Sequence, residues 1–248
     1  MKLLVDTHCH TLSSGHAYST IKEMADYASQ IGMKIIGMTD HGPSLPGAPH
    51  IYHFGNLRIL PEYISGVRIL KGVEANIMSY DGTLDMPEKF LSKLELVIAG
   101  FHDACLIPGS VEENTRAVIG AMKNPLVDII AHPGNPQFPV DVERVVACAI
   151  ETSTLIEINN SSFGNARRGS EGNCRQIALE AKEKGAMLTT GSDSHICFHV
   201  GKFDKVLKLF EDVGITEELV ISSNPQKLID FLNKKGKKIN YGIEVPFV

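Results

Sequence analysis

Six polar clusters in the 248-residue sequence combine metal-competent side chains with a short apolar run just before them. They are Asp6-Thr7-His8-Cys9-His10, Thr39-Asp40-His41-Gly42, Glu74, Gly100-Phe101-His102, His132-Pro133-Gly134 and Ser192-Asp193-Ser194-His195. With His16 in the Gly/Ser-rich stretch Ser13-Ser14-Gly15-His16, they collect seven of the ten histidines and leave His50, His53 and His199 outside. Neutral imidazoles joined by a few carboxylates, with no thiolate set, suit zinc, manganese or iron in a hydrolytic site; structural zinc favours cysteine. Seven histidines plus Glu74 and Asp193 make nine ligands. A catalytic ion takes about three protein ligands and leaves a position for water, so nine suffice for about three ions, more easily if a carboxylate bridges two. His8 and His10, two apart, point to the same face of a continuing strand and can reach one ion without backbone contortion, while Cys9 points the other way into packing.

The elements that must position these groups are readable as apolar runs at residues 2–5, 34–38, 67–73, 94–101, 127–131, 154–158 and 186–190. Each is short, like a strand buried on both faces. Helical patterns fill several intervals: Thr20–Ile31, opened by a Thr20/Glu23 capping box, Ser110–Met122, Val142–Glu151, Glu171–Lys184 stopped by Gly185, and Lys202–Val213. Strands alternating with helices imply βαβ units and a parallel sheet. One unbroken series of seven, without linker or composition shift, favours a single closed α/β barrel over residues 1–248. In such a barrel the catalytic face is the C-terminal end of the strands, so ligands scattered along the chain converge on one mouth. After Val213 the sequence predicts a short strand at residues 218–222, a helix over Pro225–Leu232, and a solvated basic helix end at residues 234–238.

Composition narrows the function classes. Twenty-four Lys and Arg against 29 Asp and Glu give a net charge of −5, and the chain has no Trp and 6% aromatics. It has no basic run to track a phosphate backbone, so stable nucleic-acid binding is not expected. Five scattered cysteines without a CxxC fit reduced thiols. The apolar N-terminal stretch is too short for a signal peptide, and no run approaches the ~20 residues of a membrane helix. The expectation is a cytoplasmic protein, without membrane association, for which a homo-oligomer stays open.

The ordered combination of H-x-H, D-H-G, a strand-three Glu, H-P-G and S-D-S-H resembles the polymerase-and-histidinol-phosphatase (PHP) superfamily, and more closely its YcdX-like phosphatase branch. The resemblance implies an α/β fold, a distorted (β/α)7 barrel in a single domain, holding about three zinc ions, with manganese or iron as alternatives. It implies that His8, His10, Glu74 and Asp193 hold one ion, Glu74 with His102 and His132 a second, and His16, His41 and His195 a third. Every position of that pattern carries a competent ligand in this sequence.

The chemistry expected of such a centre is hydrolysis of a small phosphomonoester by a metal-bridging hydroxide, with Glu74 and Asp193 as catalytic carboxylates and Asp193 orienting or deprotonating water. Asp6, Asp40 and Asp103 are suited to accept the free N–H of ligand histidines. Asn160, Arg167 and Arg168, in the donor-rich stretch that starts at Glu157, are candidates for substrate binding, with either arginine able to take a phosphate bidentately. Asn135 is a further candidate, His199 is structural or near the substrate, and the Gly/Pro-rich segment Pro43–Gly55, with His50, Tyr52 and His53, is a lid, an oligomer contact or a solvated loop. Two other readings use the same site: a nuclease or nucleotide-bisphosphate hydrolase, and a metal-binding scaffold without turnover.

Overall fold

The computed structural model describes residues 1–242. Seven parallel strands run in the order β1 (Val5–Cys9), β2 (Ile35–Met38), β4 (Val67–Asn76), β5 (Leu96–Gly100), β6 (Ile129–Ile130), β7 (Leu155–Asn159) and β8 (Leu188–Gly191), and a two-residue β3 (Tyr63–Ile64) pairs antiparallel with the start of β4. The sheet curls until β8 meets β1. Cys9 bridges Ser194, His10 donates its backbone N–H to Ser194 O at 2.9 Å, and Asp193 donates to His8 O at 2.9 Å. The seven apolar runs are the seven strands, and the architecture is the expected distorted (β/α)7 barrel.

Helices α1 (Ile21–Gln30), α4 (Val111–Met122), α5 (Val142–Thr152), α6 (Ser170–Lys184) and α7 (Asp204–Val213) flank the barrel, with α2 (Tyr52–Asn56) and α3 (Glu88–Leu91) as short pieces of the longer connections. The Thr20/Glu23 pair forms a complete capping box, as does Ser110 with Glu113. No helix among the described residues is long and apolar enough to cross a membrane.

Strand alternation divides the core in two. Ile36, Ile69, Val97, Ile130 and Ile156 face the helices, whereas Ile35, Leu70, Leu96, Ile98, Ile129 and Leu155 fill the barrel. On β4 and β7 the inward parity carries past Leu70 to Glu74, and past Leu155 to Glu157 and Asn159, so the strand pleat itself aims these polar groups at the mouth. Strand β1 breaks parity. Val5 packs inside and Cys9 outside, four residues apart, because the β1–β2 ladder shifts register between Asp6 and Cys9. That irregularity, not an unbroken strand as the sequence suggested, delivers His8 and His10 inward.

The barrel floor departs from the sequence expectations. Residues 218–222 form 3-10 turns rather than a strand, with Val220 bridging Leu188 at a single point and Ile221 joining the inner core beside Leu228, Ile229 and Leu232 of α8 (Pro225–Lys234). The basic stretch at 234–238 is not simply solvated. Lys235 Nζ donates to Val127 O and Ser153 O at 2.7 and 3.1 Å, and Lys237 Nζ donates to Leu94 O at 3.2 Å and lies 3.4 Å from Asp128 Oδ2. Carbonyls and a carboxylate just before β5, β6 and β7 thus find their donors in the C-terminal segment.

Arg68, fully buried on β4, completes the floor. Its guanidinium meets Glu95 at 2.5 Å and donates to the carbonyls of Asn240 and Glu62. Arg68→Ala leaves Glu95 Oε1 and the Asn240 carbonyl without this donor, although Glu62 O keeps the Ile69 N–H and Glu95 Oε2 keeps the Lys71 N–H. Breaking such a pair from one side costs about 3 kcal/mol or more. The expected result is a fall in melting temperature of about 6–12 °C for a chain of this size, read by thermal denaturation.

Candidate metal centre

At the C-terminal end of the strands, Glu74 is the hub. Its Oε1 lies 2.8 Å from His132 Nε2 and 3.4 Å from His102 Nε2, and its Oε2 lies 2.7 Å from His41 Nδ1, 3.3 Å from His8 Nε2 and 3.6 Å from His10 Nε2. Five imidazoles from four segments therefore surround one buried carboxylate. Asp193 stands beside them, its Oδ1 3.2 Å from His10 Nε2 and 3.8 Å from His8 Nε2. Outward from this layer, His10 stacks on His41 with ring centroids 4.2 Å apart, and His195 Nε2 sits 3.0 Å from His16 Nε2. All nine predicted ligands are thus brought to one mouth.

Three compact groups of donor atoms emerge: His8 with His10 and Asp193, His41 with Glu74 and His102, and His10 with His41 and His195. They divide His10 and His41 differently from the partition that the resemblance implies, because His41 leans onto Glu74. Hydrogen bonding tests whether this donor set fits cations. His8 Nε2, His10 Nε2, His41 Nδ1, Glu74 Oε2 and both ring nitrogens of His102 are buried without a hydrogen-bond partner. So many orphaned electron-pair donors pointing at one another are costly unless something positive sits among them. The nitrogen and oxygen set fits zinc-type divalent ions.

The electrostatics of Glu74, Asp193 and His132 agree. Burial works against charge on Glu74, yet His8, His102 and His41 hold its carboxyl well below the usual range. Burial opposes Asp193 likewise, but the Arg167 guanidinium and His8 keep it well below its ordinary value. His132 is pushed down to about 4, by burial first and the Arg167 charge second, so its ring is neutral at pH 7 and offers a lone pair.

Two site residues carry left-handed backbone, His132 with φ of 34° and Asp193 with φ of 55°. Non-glycine residues hold such conformations where neighbouring structure over-determines them, commonly at functional sites. Here Glu157 Oε2 accepts the His132 backbone N–H at 2.9 Å, and His8 O accepts that of Asp193.

The mouth opens into a cavity of about 530 Å3 lined by His16, His41, His102, Asp193 and His195 and, outside them, by Leu45, Pro46, Asp103, Ser161 and Arg167. Of the substrate-binding candidates only Arg167 reaches it, with Nη1 2.8 Å from Asp193 Oδ2. Arg168 is exposed, on the far side of a 3-10 turn. Asn160 turns away, its Oδ1 capping the start of α7 by accepting from Lys205 N and Val206 N. Asn135 spends its side-chain oxygen on Gln137 N, and His199 is exposed. The Pro43–Gly55 segment forms one wall through Leu45 and Pro46, and His53 Nε2 lies 3.3 Å from Asp40 Oδ2.

The three aspartates do not accept from ligand imidazoles. Asp6 holds the backbone N–H groups of Ser192 and Gly201, Asp40 holds Thr11 and the Ser14 hydroxyl, and Asp103 accepts from Gln137 Nε2. The carboxylate that meets a histidine ring from behind is Glu157, whose Oε1 lies 2.8 Å from His8 Nδ1. The signal for it was a charged residue at inward parity inside a buried strand.

The PHP domain model matches residues 6–245. The chain belongs to the PHP domain family. Within that family's reach, a protein of Acetivibrio thermocellus named as a probable phosphatase is 55% identical over 239 residues, spanning 96% of this chain and 99% of its own. Among solved structures, the histidinol phosphate phosphatase of Lactococcus lactis subsp. lactis Il1403, complexed with zinc, L-histidinol and phosphate, superposes with a TM-score of 0.58 at 14% identity over 87% of this chain and 95% of that one. A chain from archaeal ribonuclease P with mature tRNA superposes with a TM-score of 0.59 at 11% identity, covering 98% of each. At these identities the two structures share a fold with this chain and no more, and the chemistry must be argued from the site.

Proposed function

We propose that this chain is a metal-dependent phosphatase that hydrolyses a small phosphomonoester, that residues 1–248 act as one metallohydrolase domain, and that it falls in the YcdX-like phosphatase branch of its superfamily. The observation that carries the reading is one cavity that joins a cation-hungry cluster to a guanidinium: Asp193 shares a donor group with His8 and His10, and Arg167 meets that same Asp193 at 2.8 Å. The probable-phosphatase name of the Acetivibrio relative, at 55% identity, supports the reaction class.

In this reading His8, His10, Glu74 and Asp193 hold one ion, Glu74, His102 and His132 a second, and His16, His41 and His195 a third, with zinc the expected metal. Divalent ions bound there acidify water and neutralise the charge that grows on phosphoryl oxygens. The side chains of this protein then act on the two reactants. Asp193, kept anionic beside Arg167, accepts a hydrogen bond from the attacking water and aligns it, and the alcohol leaves with a proton drawn from solvent. Arg167, a planar fork at the edge of the cavity, takes two phosphoryl oxygens and fixes the ester in line. Leu45, Pro46 and Ala104 face the leaving alcohol with little polarity, and a cavity of about 530 Å3 suits a compact ester rather than a long polymer.

Metal analysis by inductively coupled plasma, paired with p-nitrophenyl phosphate turnover before and after chelation, tests this. The expected result is about three ions per chain and chelator-abolished turnover that zinc or manganese restores. Fewer than about one ion per chain with no rescue overturns the reading, and faster cleavage of bis(p-nitrophenyl) phosphate than of the monoester moves it to diester hydrolysis.

A further inference from the structure

We propose that Glu157 is a positioning residue that fixes the tautomer of His8, so that Nδ1 carries the proton and Nε2 is the nitrogen turned to the metal cluster. The inference rests on the metal-centre reading above. It goes beyond that reading by assigning a role to a buried carboxylate outside the ligand set.

Both Glu157 oxygens are engaged as acceptors. Oε1 faces His8 Nδ1 at 2.8 Å, while Oε2 accepts the His132 backbone N–H at 2.9 Å and Asn159 Nδ2 at 3.1 Å. Asn159 Nδ2 also lies 3.3 Å from Asp193 Oδ2. One carboxylate on β7 therefore touches His8 from β1 and His132 after β6 and reaches Asp193 after β8 through a single amide. With its oxygens facing N–H groups on both sides, Glu157 is not one of the compact metal-donor groups. A carboxylate behind a ligand imidazole selects the tautomer and holds the ring's orientation.

A second, independent feature protects the same contact. Gly191 on β8 packs directly on the Glu157–His8 pair, and a Cβ there would collide with Glu157 Oε1 and come within 2.5 Å of His8 Cβ. The φ of Gly191 is not among the positive values, so its lack of a side chain answers to this close approach and not to backbone conformation.

The arrangement makes Glu157→Gln a sharp perturbation although it is nearly isosteric. A glutamine offers one acceptor and one NH2 donor where two acceptors are needed. If the amide oxygen serves His132 N–H, the NH2 group faces His8 Nδ1, which must then accept. His8 is forced into the Nε2–H tautomer, whose proton blocks the lone pair aimed at Glu74 and Asp193.

The test uses the full chain, with zinc as the probe. Glu157→Gln is expected to weaken zinc binding at the His8 position by about 10–100-fold and to lose about one ion per chain on dialysis while the others remain. Gly191→Ala is expected to give the same partial loss from a different lesion. In wild-type protein loaded with 113Cd, nitrogen-15 spectra are expected to place cadmium coupling on His8 Nε2 and the proton on Nδ1, a readout that needs no variant to fold. Coupling on Nδ1, or a folded Glu157→Gln protein that keeps wild-type zinc content and affinity, overturns the proposal. Wild-type protein that binds neither zinc nor cadmium overturns the metal-centre reading instead, so the two failures are distinct.

Discussion

Glu74→Gln is expected to lower kcat for p-nitrophenyl phosphate by about 10^3-fold or more and to strip metal from two positions at once. The carboxylate is within 3.6 Å of ring nitrogens from His8, His10, His41, His102 and His132, and both of its oxygens are used. A neutral amide keeps the shape but removes the negative charge that the histidine-rich layer needs. Its NH2 end also has no lone pair to offer a cation where the carboxylate offered an oxygen. Charge stabilisation by bound ions is worth several kcal/mol, and each 1.4 kcal/mol is about tenfold in rate, so losing a shared ligand translates into about three decades. The check is steady-state turnover alongside metal content, with circular dichroism to show that β4 and its barrel persist. A variant that keeps a tenth of the activity with full metal content would mean that Glu74 is a buried ion-pair partner of the histidines and not a bridging ligand.

Much of this geometry was readable because strands and helices here are cut from short, strongly patterned runs. The capping box at Thr20 formed as its spacing requires, the helix expected from Ser110 formed with a second box of its own, and the polar clusters converge since each sits at or just after the C-terminal end of a parallel strand. The failures have local causes. Residues 218–222 have the β-prone composition of a strand, yet the Ser222 hydroxyl bonds the Thr190 backbone N–H and hydroxyl, and Ile221 plugs the floor, so tertiary contacts win over propensity. The basic stretch at 234–238 looked solvated because composition does not reveal that strand-start carbonyls lie beneath Lys235 and Lys237.

Within the site, residue type identified ligands better than it identified their supports. Asp6, Asp40 and Asp103 stand within two residues of histidines in sequence, but other donors take up their carboxylates, the Ser192 and Gly201 N–H groups, Thr11 with Ser14, and Gln137 respectively, so none of them backs the ring near it. Glu157 does so from β7, 149 residues away from His8, through the pleat that also aims Leu155 inward. Adjacent arginines posed the same problem. The choice between Arg167 and Arg168 depends on a 3-10 turn at Asn165–Arg167, too short to leave a periodic signature in sequence.

Arg167→Ala is expected to reduce kcat/KM for a phosphomonoester by about 10^2–10^3-fold, the cost of removing one well-placed donor from a site where charge develops. Two roles compete for this residue, and the variant separates them. As a phosphate clamp, Arg167 swings part of its fork from Asp193 Oδ2 to the phosphoryl oxygens, and its loss weakens inhibition by inorganic phosphate while leaving metal content intact. As a mere partner of Asp193, 2.8 Å away, its loss frees that carboxylate, and metal content changes while phosphate inhibition at the remaining activity does not. The location favours the clamp: the side chain lines the cavity, and burial opposes its charge while Asp193 and Glu74 sustain it, so a permanently charged fork is held where a dianion would arrive. Arg167→Lys sharpens the contrast, since lysine keeps the charge but not the planar fork; it should restore the attraction for phosphate in part and leave kcat about tenfold or more below wild type. Equal kcat/KM in wild type and Arg167→Ala would remove Arg167 from the substrate site and leave phosphate binding to the metal cluster alone.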